Sequence, residues 1–137
     1  MKINTYLNFN GQCEEAFKFY EKCLDGKIEA MMAHEGTPAE EHVPPEWKKK
    51  IIHACLRTDH GVLMGSDAPP DYFEPPKGFS VALHFATPAE AEKVFYALAN
   101  DGKITMPLAQ TFWSVSFGML VDKYGIPWMI HCEQIPS

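Results

Sequence analysis

Residues 3–9 alternate in polarity, with Ile3, Leu7 and Phe9 on one side and Asn4, Tyr6 and Asn8 on the other. A period of two marks a strand with one buried face. The pattern returns at 80–86, where Val81, Leu83 and Phe85 oppose Ser80, Ala82 and His84. After each strand the period becomes helical. Ala16, Phe19, Tyr20, Cys23 and Leu24 share one helical face in the first stretch, as do Ala91, Val94, Phe95 and Leu98 in the second. Thr87-Pro88-Ala89-Glu90 supplies an N-cap, a proline at the first helical position and a glutamate at the third. Asp25-Gly26 and Asp101-Gly102 end the helices, and each glycine is expected to take positive φ there. Strands start again at Lys27 and Lys103. Two hairpins complete the pattern: 50–57 with 61–66, turning at Asp59-His60-Gly61, and 112–121 with 126–132, turning at Lys123-Tyr124-Gly125.

Each half therefore reads β-α-β-β-β, and the halves are copies of one another. Shifted by 76 residues, positions 4–28 contain nine identities without a gap: Leu7/Leu83, Phe9/Phe85, Glu14/Glu90, Phe19-Tyr20/Phe95-Tyr96 and Asp25-Gly26-Lys27-Ile28/Asp101-Gly102-Lys103-Ile104. Two segments interrupt the regularity. Glu35–Lys50 is polar, contains Pro38, Pro44 and Pro45, and has room for one short helical turn; 67–78, with Pro69, Pro70, Pro75 and Pro76, is a stiff crossover. The expected organisation is one α+β domain over 1–137, with module one at about 1–66, a linker at 67–78 and module two at about 79–137. The two modules should superpose about a pseudo-twofold axis.

Composition narrows the function. With 46% apolar and 12% aromatic residues in 137, the chain folds rather than staying disordered. Twelve basic against 18 acidic side chains give a net charge of −6, which argues against nucleic acid and anionic membranes as partners. No apolar run approaches a membrane span, and the start carries no signal-peptide core because Asn4, Asn8, Asn10 and Gln12 break it. Cys13, Cys23, Cys55 and Cys132 form no CxxC pair. Cys13 and Cys23 are about 15 Å apart along one helix, beyond the roughly 7 Å reach of a disulfide. Four reduced thiols in the cytoplasm are expected. No nucleophile–base pair or phosphate loop is legible.

Tyr6-Leu7-Asn8-Phe9 leading into Gly11-Gln12-Cys13-Glu14-Glu15-Ala16, Met64-Gly65-Ser66-Asp67, Gln110-Thr111-Phe112-Trp113, Phe117-Gly118 and Asp122-Lys123-Tyr124-Gly125-Ile126-Pro127-Trp128-Met129-Ile130 together resemble the PhnB-like branch of the vicinal oxygen chelate superfamily. That superfamily includes glyoxalase I, extradiol dioxygenases and bleomycin-resistance proteins. The resemblance spans essentially the whole chain, and the 110–130 block is its specific part. It implies that each module curls its sheet into a half-barrel around a cavity, with helices outside. Members often carry a label as 3-demethylubiquinone-9 3-methyltransferases. The sequence gives that label no support, since no glycine-rich turn follows the first strand and no parallel β/α alternation is present.

Metal-dependent members place His and Glu at four strand positions. Carried over by strand register, these fall on Asn4, near His53 or Ala54, on Ser80 and on Met129. Amide, hydroxyl and thioether are poor donors for a hard or borderline cation, so the resemblance implies a metal-free cavity without cofactor. A register shifted by two residues would bring His84 and His131 near the third and fourth positions, with His53 as a third candidate.

The candidate ligand-binding residues are Tyr6, Asn8, His53, His84, Trp113, Met129 and His131. Glu133 shares the inward parity of Met129 and His131 but, as a lone acid at a strand end, reads as solvated. His34, His42 and His60 read as solvated loop residues, Lys48-Lys49-Lys50 as a solvated face, Trp128 as core, and Trp47 as a lid or dimer contact. The resulting expectation is a small-molecule-binding protein that forms a homodimer. Its rivals are a metal-dependent lyase, isomerase or dioxygenase, and a drug-sequestering protein.

Overall fold

The strand alternation decides where the first helix can pack. In the computed structural model, which describes residues 1–111 and 114–133, β1 (Thr5–Phe9) buries Leu7 and Phe9 and leaves Tyr6 and Asn8 exposed. α1 (Cys13–Leu24) covers the Leu7/Phe9 side with Cys13, Ala16, Phe17 and Tyr20. The spacing of apolar residues missed Phe17, which is fully buried and edge-on to Phe9 at 6.1 Å, while Phe19 is only half-buried. Ile3 precedes the strand and is exposed, because the sheet begins two residues later than its polarity suggests. β2 (Lys27–Ala33), β3 (Ile51–Arg57) and β4 (Val62–Asp67) complete a sheet of order β1-β4-β3-β2, with β1 parallel to β4 and the other pairs antiparallel.

The second unit repeats this construction. β5 (Val81–His84), α2 (Pro88–Leu98), β6 (Lys103–Ala109), β7 (Ser114–Val121) and β8 (Pro127–Glu133) form a sheet of order β5-β8-β7-β6 with the same pattern of parallel and antiparallel pairs. Ala91, Phe95 and Leu98 of α2 pack with Trp128, Ile130 and Cys132 in the core. The two β-α-β-β-β units expected from the repeat are both present, and compactness divides the chain into 1–74 and 75–137.

The helix ends correct one expectation. Positive φ falls on Asp25 and Asp101 (52° and 59°), not on the glycines after them. Asp tolerates the left-handed region better than most side chains. Gly26 and Gly102 serve close approach instead: a Cβ on Gly26 would lie 2.9 Å from the Arg57 carbonyl oxygen, and one on Gly102 only 2.5 Å from that of Val121. The identical tetrapeptides thus solve the same problem twice, bringing each helix exit hard against a hairpin strand.

The helix starts differ. Thr87 caps α2 locally, its Oγ1 accepting from Glu90 N–H at 3.2 Å. Gln12 offers α1 no side-chain cap. The buried Asp67 carboxylate substitutes for it from the end of β4, accepting from Cys13 N–H at 2.9 Å and from Ile51 N–H at 2.9 Å. By register Asp67 lies beside Phe9. In the second sheet the β5–β8 register gives that place to Cys132, the residue after His131, so the second unit has no carboxylate there.

All four cysteines are free thiols, with Cys13 and Cys132 buried. Burial first, then the charges of Asp67 and Glu14, push the Cys13 thiol far above its ordinary value. The folded chain therefore keeps a proton that the unfolded chain releases above 9.0. Stability should fall as pH rises through that point, by up to about 1.4 kcal/mol per pH unit from this group. Urea denaturation at stepped alkaline pH should show a shallower decline for Cys13→Ala than for the parent; equal slopes would remove Cys13 as the cause.

The insert between β2 and β3 corrects four further readings. It contains two 3₁₀ turns, Pro38–His42 and Pro45–Trp47. Its ends are tied by His34 N–H to the Lys50 carbonyl (3.0 Å) and Glu35 N–H to the Lys48 carbonyl (2.8 Å). This closure buries Trp47, which is neither a lid nor an exposed contact, and seats its ring against Gly11. It also buries His34, whose Nδ1 meets the Lys50 carbonyl at 2.9 Å, whereas His42 and His60 are exposed as expected. Lys50 is not simply solvated: its ammonium donates to the Gly11 carbonyl at 3.0 Å.

Candidate functional site

A helix covers one face of each sheet, so the candidate residues are those on the other face. In the first unit Tyr6 and Asn8 lie there on β1, beside Met64 and Ser66 of β4. His53 of β3 stacks with Tyr6, at 6.1 Å between centroids and 28° between planes. Tyr6 is 46% exposed, Asn8 is exposed and His53 half-buried. This is an amphipathic strip: one phenol, one imidazole, one amide and a thioether.

In the second unit the parallel pairing of β5 with β8 sets Ala82 beside Met129 and His84 beside His131. The two imidazoles meet with Nδ1 atoms 3.0 Å apart and centroids 4.8 Å apart. Phe117 of β7 flanks His131 on its other side at 6.1 Å. Glu133 follows two residues along β8, hence on the same face, and one donor atom from each of His84, His131 and Glu133 lies within 4.8 Å of the others. The 76-residue repeat sets His84 at the place of Asn8, and strand pairing then sets His131 at the place of Ser66, since His84 lies beside His131 as Asn8 lies beside Ser66. The second unit thus carries two imidazoles where the first carries an amide and a hydroxyl.

The sequence anticipated the faces of Tyr6, Asn8, His53, His84, Met129 and His131. Trp113 lies outside the described residues. Sequence reasoning read Glu133 as a lone acid, although its parity already put it on the His131 face. It also missed Asp122, which is buried at the β7–β8 turn. Asp122 Oδ1 accepts from Tyr124 N–H (2.8 Å) and Ile126 N–H (3.0 Å), and Oδ2 accepts from the Trp128 indole N–H (2.8 Å). An Asp two residues before a turn Tyr-Gly was the available signal. Trp128 is core, as expected.

The ligand positions implied by the metal-dependent superfamily members do not fit a metal. Asn4 is exposed ahead of β1, Ser80 precedes β5, and Met129 is a half-buried thioether on β8. None of these three is a good donor to a divalent cation, which leaves only the position near His53, and one imidazole does not hold a metal.

Two mixed four-stranded β-α-β-β-β sheets are the architecture of the glyoxalase/bleomycin-resistance fold. The glyoxylase/bleomycin resistance protein/dioxygenase domain of Frankia sp. EAN1pec shares it, with TM-score 0.66 at 12% identity over 98% of each chain. The chain belongs to the family described as 3-demethylubiquinone-9 3-methyltransferase, whose model matches residues 1–131. It is similar to protein PA1353 of Pseudomonas aeruginosa, at 46% identity and TM-score 0.89, covering 98% of this chain and 99% of that one. A Bacillus cereus structure described as a putative 3-demethylubiquinone-9 3-methyltransferase, PhnB protein, is 32% identical with TM-score 0.78 over 96% and 99% of the two chains. Protein YjdN of Escherichia coli is 32% identical over 96% of this chain and 95% of its own.

Proposed function

We propose that this protein binds a small molecule through the helix-free faces of its sheets, using Tyr6, Asn8 and His53 in the first unit and His84, Met129 and His131 in the second. The observation that carries this reading is the Tyr6–His53 stack beside Asn8, an exposed aromatic and polar group on a strand whose other face is fully packed. Apolar walls with a few placed polar groups suit an aromatic or apolar ligand. The superfamily's ligand positions, occupied by Asn4, Ser80 and Met129, support a reading without metal at those positions. Methyl transfer, the reaction in the family's description, finds little support in the turn after β1, which is Ser/Thr-free Asn10-Gly11-Gln12 with one glycine rather than a dinucleotide-type fingerprint.

No helix among the described residues is long and apolar enough to cross a membrane. Four free thiols support a reducing cytoplasm. Exposed Tyr72, Phe79 and Tyr96 support a homodimer, and the acidic balance supports a partner other than nucleic acid. A second reading, a metal-dependent enzyme, is favoured by the His84–His131 contact.

Native mass spectrometry of freshly purified protein tests the binding reading. The expected species has twice the 15.5 kDa chain mass and carries a small organic adduct. Tyr6→Ala should weaken retention of that adduct about fivefold or more, as expected when an aromatic contact of about 1 kcal/mol or more is lost. Because Tyr6 is half in solvent, stability should change by less than about 0.5 kcal/mol. An adduct held equally well by Tyr6→Ala would sink the proposed site, and a bare monomer would sink the dimer.

A further inference from the structure

We infer that the second unit carries a transition-metal site formed by Nδ1 of His84, Nδ1 of His131 and the carboxylate of Glu133, two to four residues further along the strands than Ser80 and Met129. The geometry of the histidine pair comes first. Two imidazole nitrogens bound to one metal at about 2.0–2.1 Å stand roughly 2.9 Å apart at a right angle and about 3.3 Å apart at a tetrahedral angle. The Nδ1 atoms of His84 and His131 are 3.0 Å apart, inside that interval. The two nitrogens face each other, and at this distance only one of them can bear a proton when both rings are neutral. A cation placed between and outward of them uses both lone pairs at once.

The third donor follows from strand geometry. Residues two apart on a strand share a face, and Glu133 follows His131 by two on β8. Its carboxylate falls within the 4.8 Å cluster and, being exposed, can rotate onto a metal without repacking the sheet. Two imidazoles and one carboxylate form a donor set suited to zinc, nickel, cobalt or copper, and three protein donors leave a position for water or a ligand.

The surroundings of His131 decide which of its nitrogens can serve as donor. Its Nε2 is shielded from solvent and has no hydrogen-bond partner. The ring is fixed on its other side by Phe117 at 6.1 Å. Nδ1, the nitrogen that meets His84, is therefore the one this ring offers to the cluster. At the matching place in the first unit stand Asn8 and Ser66, which could not form such a pair of nitrogen donors. The site is thus specific to one repeat.

Isothermal titration of untagged, chelator-treated protein with Zn²⁺ and Ni²⁺ is the test. The expected result is one saturable site per chain. His84→Ala and His131→Ala should each weaken binding by at least the roughly 10–100-fold typical of losing even an outer-shell partner of a metal ligand. Glu133→Gln, at an exposed strand end where folding is not at stake, should weaken it about tenfold or more. Co²⁺ loaded into the parent should give visible ligand-field bands that His84→Ala abolishes. A His42→Ala, His60→Ala double variant, altered only in exposed loops, should bind as the parent does. Absence of saturable binding, or binding that survives His84→Ala and Glu133→Gln while disappearing in the loop variant, overturns the proposal. Those outcomes are separable from the ligand reading, since Tyr6→Ala leaves all three donors in place.

Discussion

Replacing Asp122 by alanine should remove about 3–5 kcal/mol of stability, a large share of what a domain of this size possesses. The carboxylate is 3% exposed and receives three donors, the N–H groups of Tyr124 and Ile126 and the Trp128 indole. Hydrogen bonds to a charged acceptor contribute about 1.5–3 kcal/mol each, and a buried donor left without one costs about 1–3 kcal/mol. The Trp128 indole is fully buried and Ile126 nearly so, which leaves water little access to take the carboxylate's place. Tyr124 is half-buried, and its N–H is the one donor that solvent can satisfy, so the three losses should not sum in full. Urea denaturation is the measurement. Trp128→Phe should lose less in an Asp122→Ala background than in the parent, because the partner of its indole is already gone. A loss below about 1 kcal/mol for Asp122→Ala would mean that the turn holds without its carboxylate.

The second large effect is expected at a glycine with nothing unusual about its own φ. A methyl group at Gly102 would meet the Val121 carbonyl oxygen at 2.5 Å and two further backbone atoms of Asp122 at 3.0 and 3.1 Å. Every one of these is main chain, so no side chain can swing aside. Gly102→Ala should cost about 3 kcal/mol or more, at the upper end of overpacking effects. Gly26→Ala, its counterpart in the first unit, meets one carbonyl at 2.9 Å and otherwise two side-chain carbons. It should fall between. Gly61, with open space around it, should accept alanine with a change within about 0.5 kcal/mol or a small gain. Thermal unfolding of the three variants checks the order; a Gly102→Ala midpoint equal to that of Gly61→Ala would show that the helix exit is free to move.

The sequence carried its repeat openly because the repeat is made of side chains with one physical demand each. Leu7 and Leu83 must be apolar, Asp25 and Asp101 must tolerate positive φ, and Gly26 and Gly102 must lack a Cβ. Faces were equally legible, since a period of two fixes which of Tyr6, Asn8, His84 and His131 share a side. What remained hidden depended on closures that no local window reports. His34 and Trp47 sit in a polar, proline-rich stretch, and only the bonds from 34 and 35 to 48 and 50 bury them. Asp67 looks like any loop-edge acid until β4 lies beside β1 and carries it to the start of α1. The proximity of His84 to His131 likewise needs the parallel pairing of β5 with β8. The donor set was present as residue types, while the distance between them was not.

The unequal caps of the two helices bear on the order in which the chain can become ordered as it is made. The start of α2 is complete once Glu90 has emerged, because Thr87 lies only three residues behind it. The start of α1 must wait for Asp67, 54 residues beyond Cys13. During that interval the first helix lacks the carboxylate that caps its amino end in the folded chain. The amino-terminal half, although synthesised first, is therefore the half whose helix depends on distant sequence. Contacts of long span form slowly, so the later-made helix has the shorter path to a finished end.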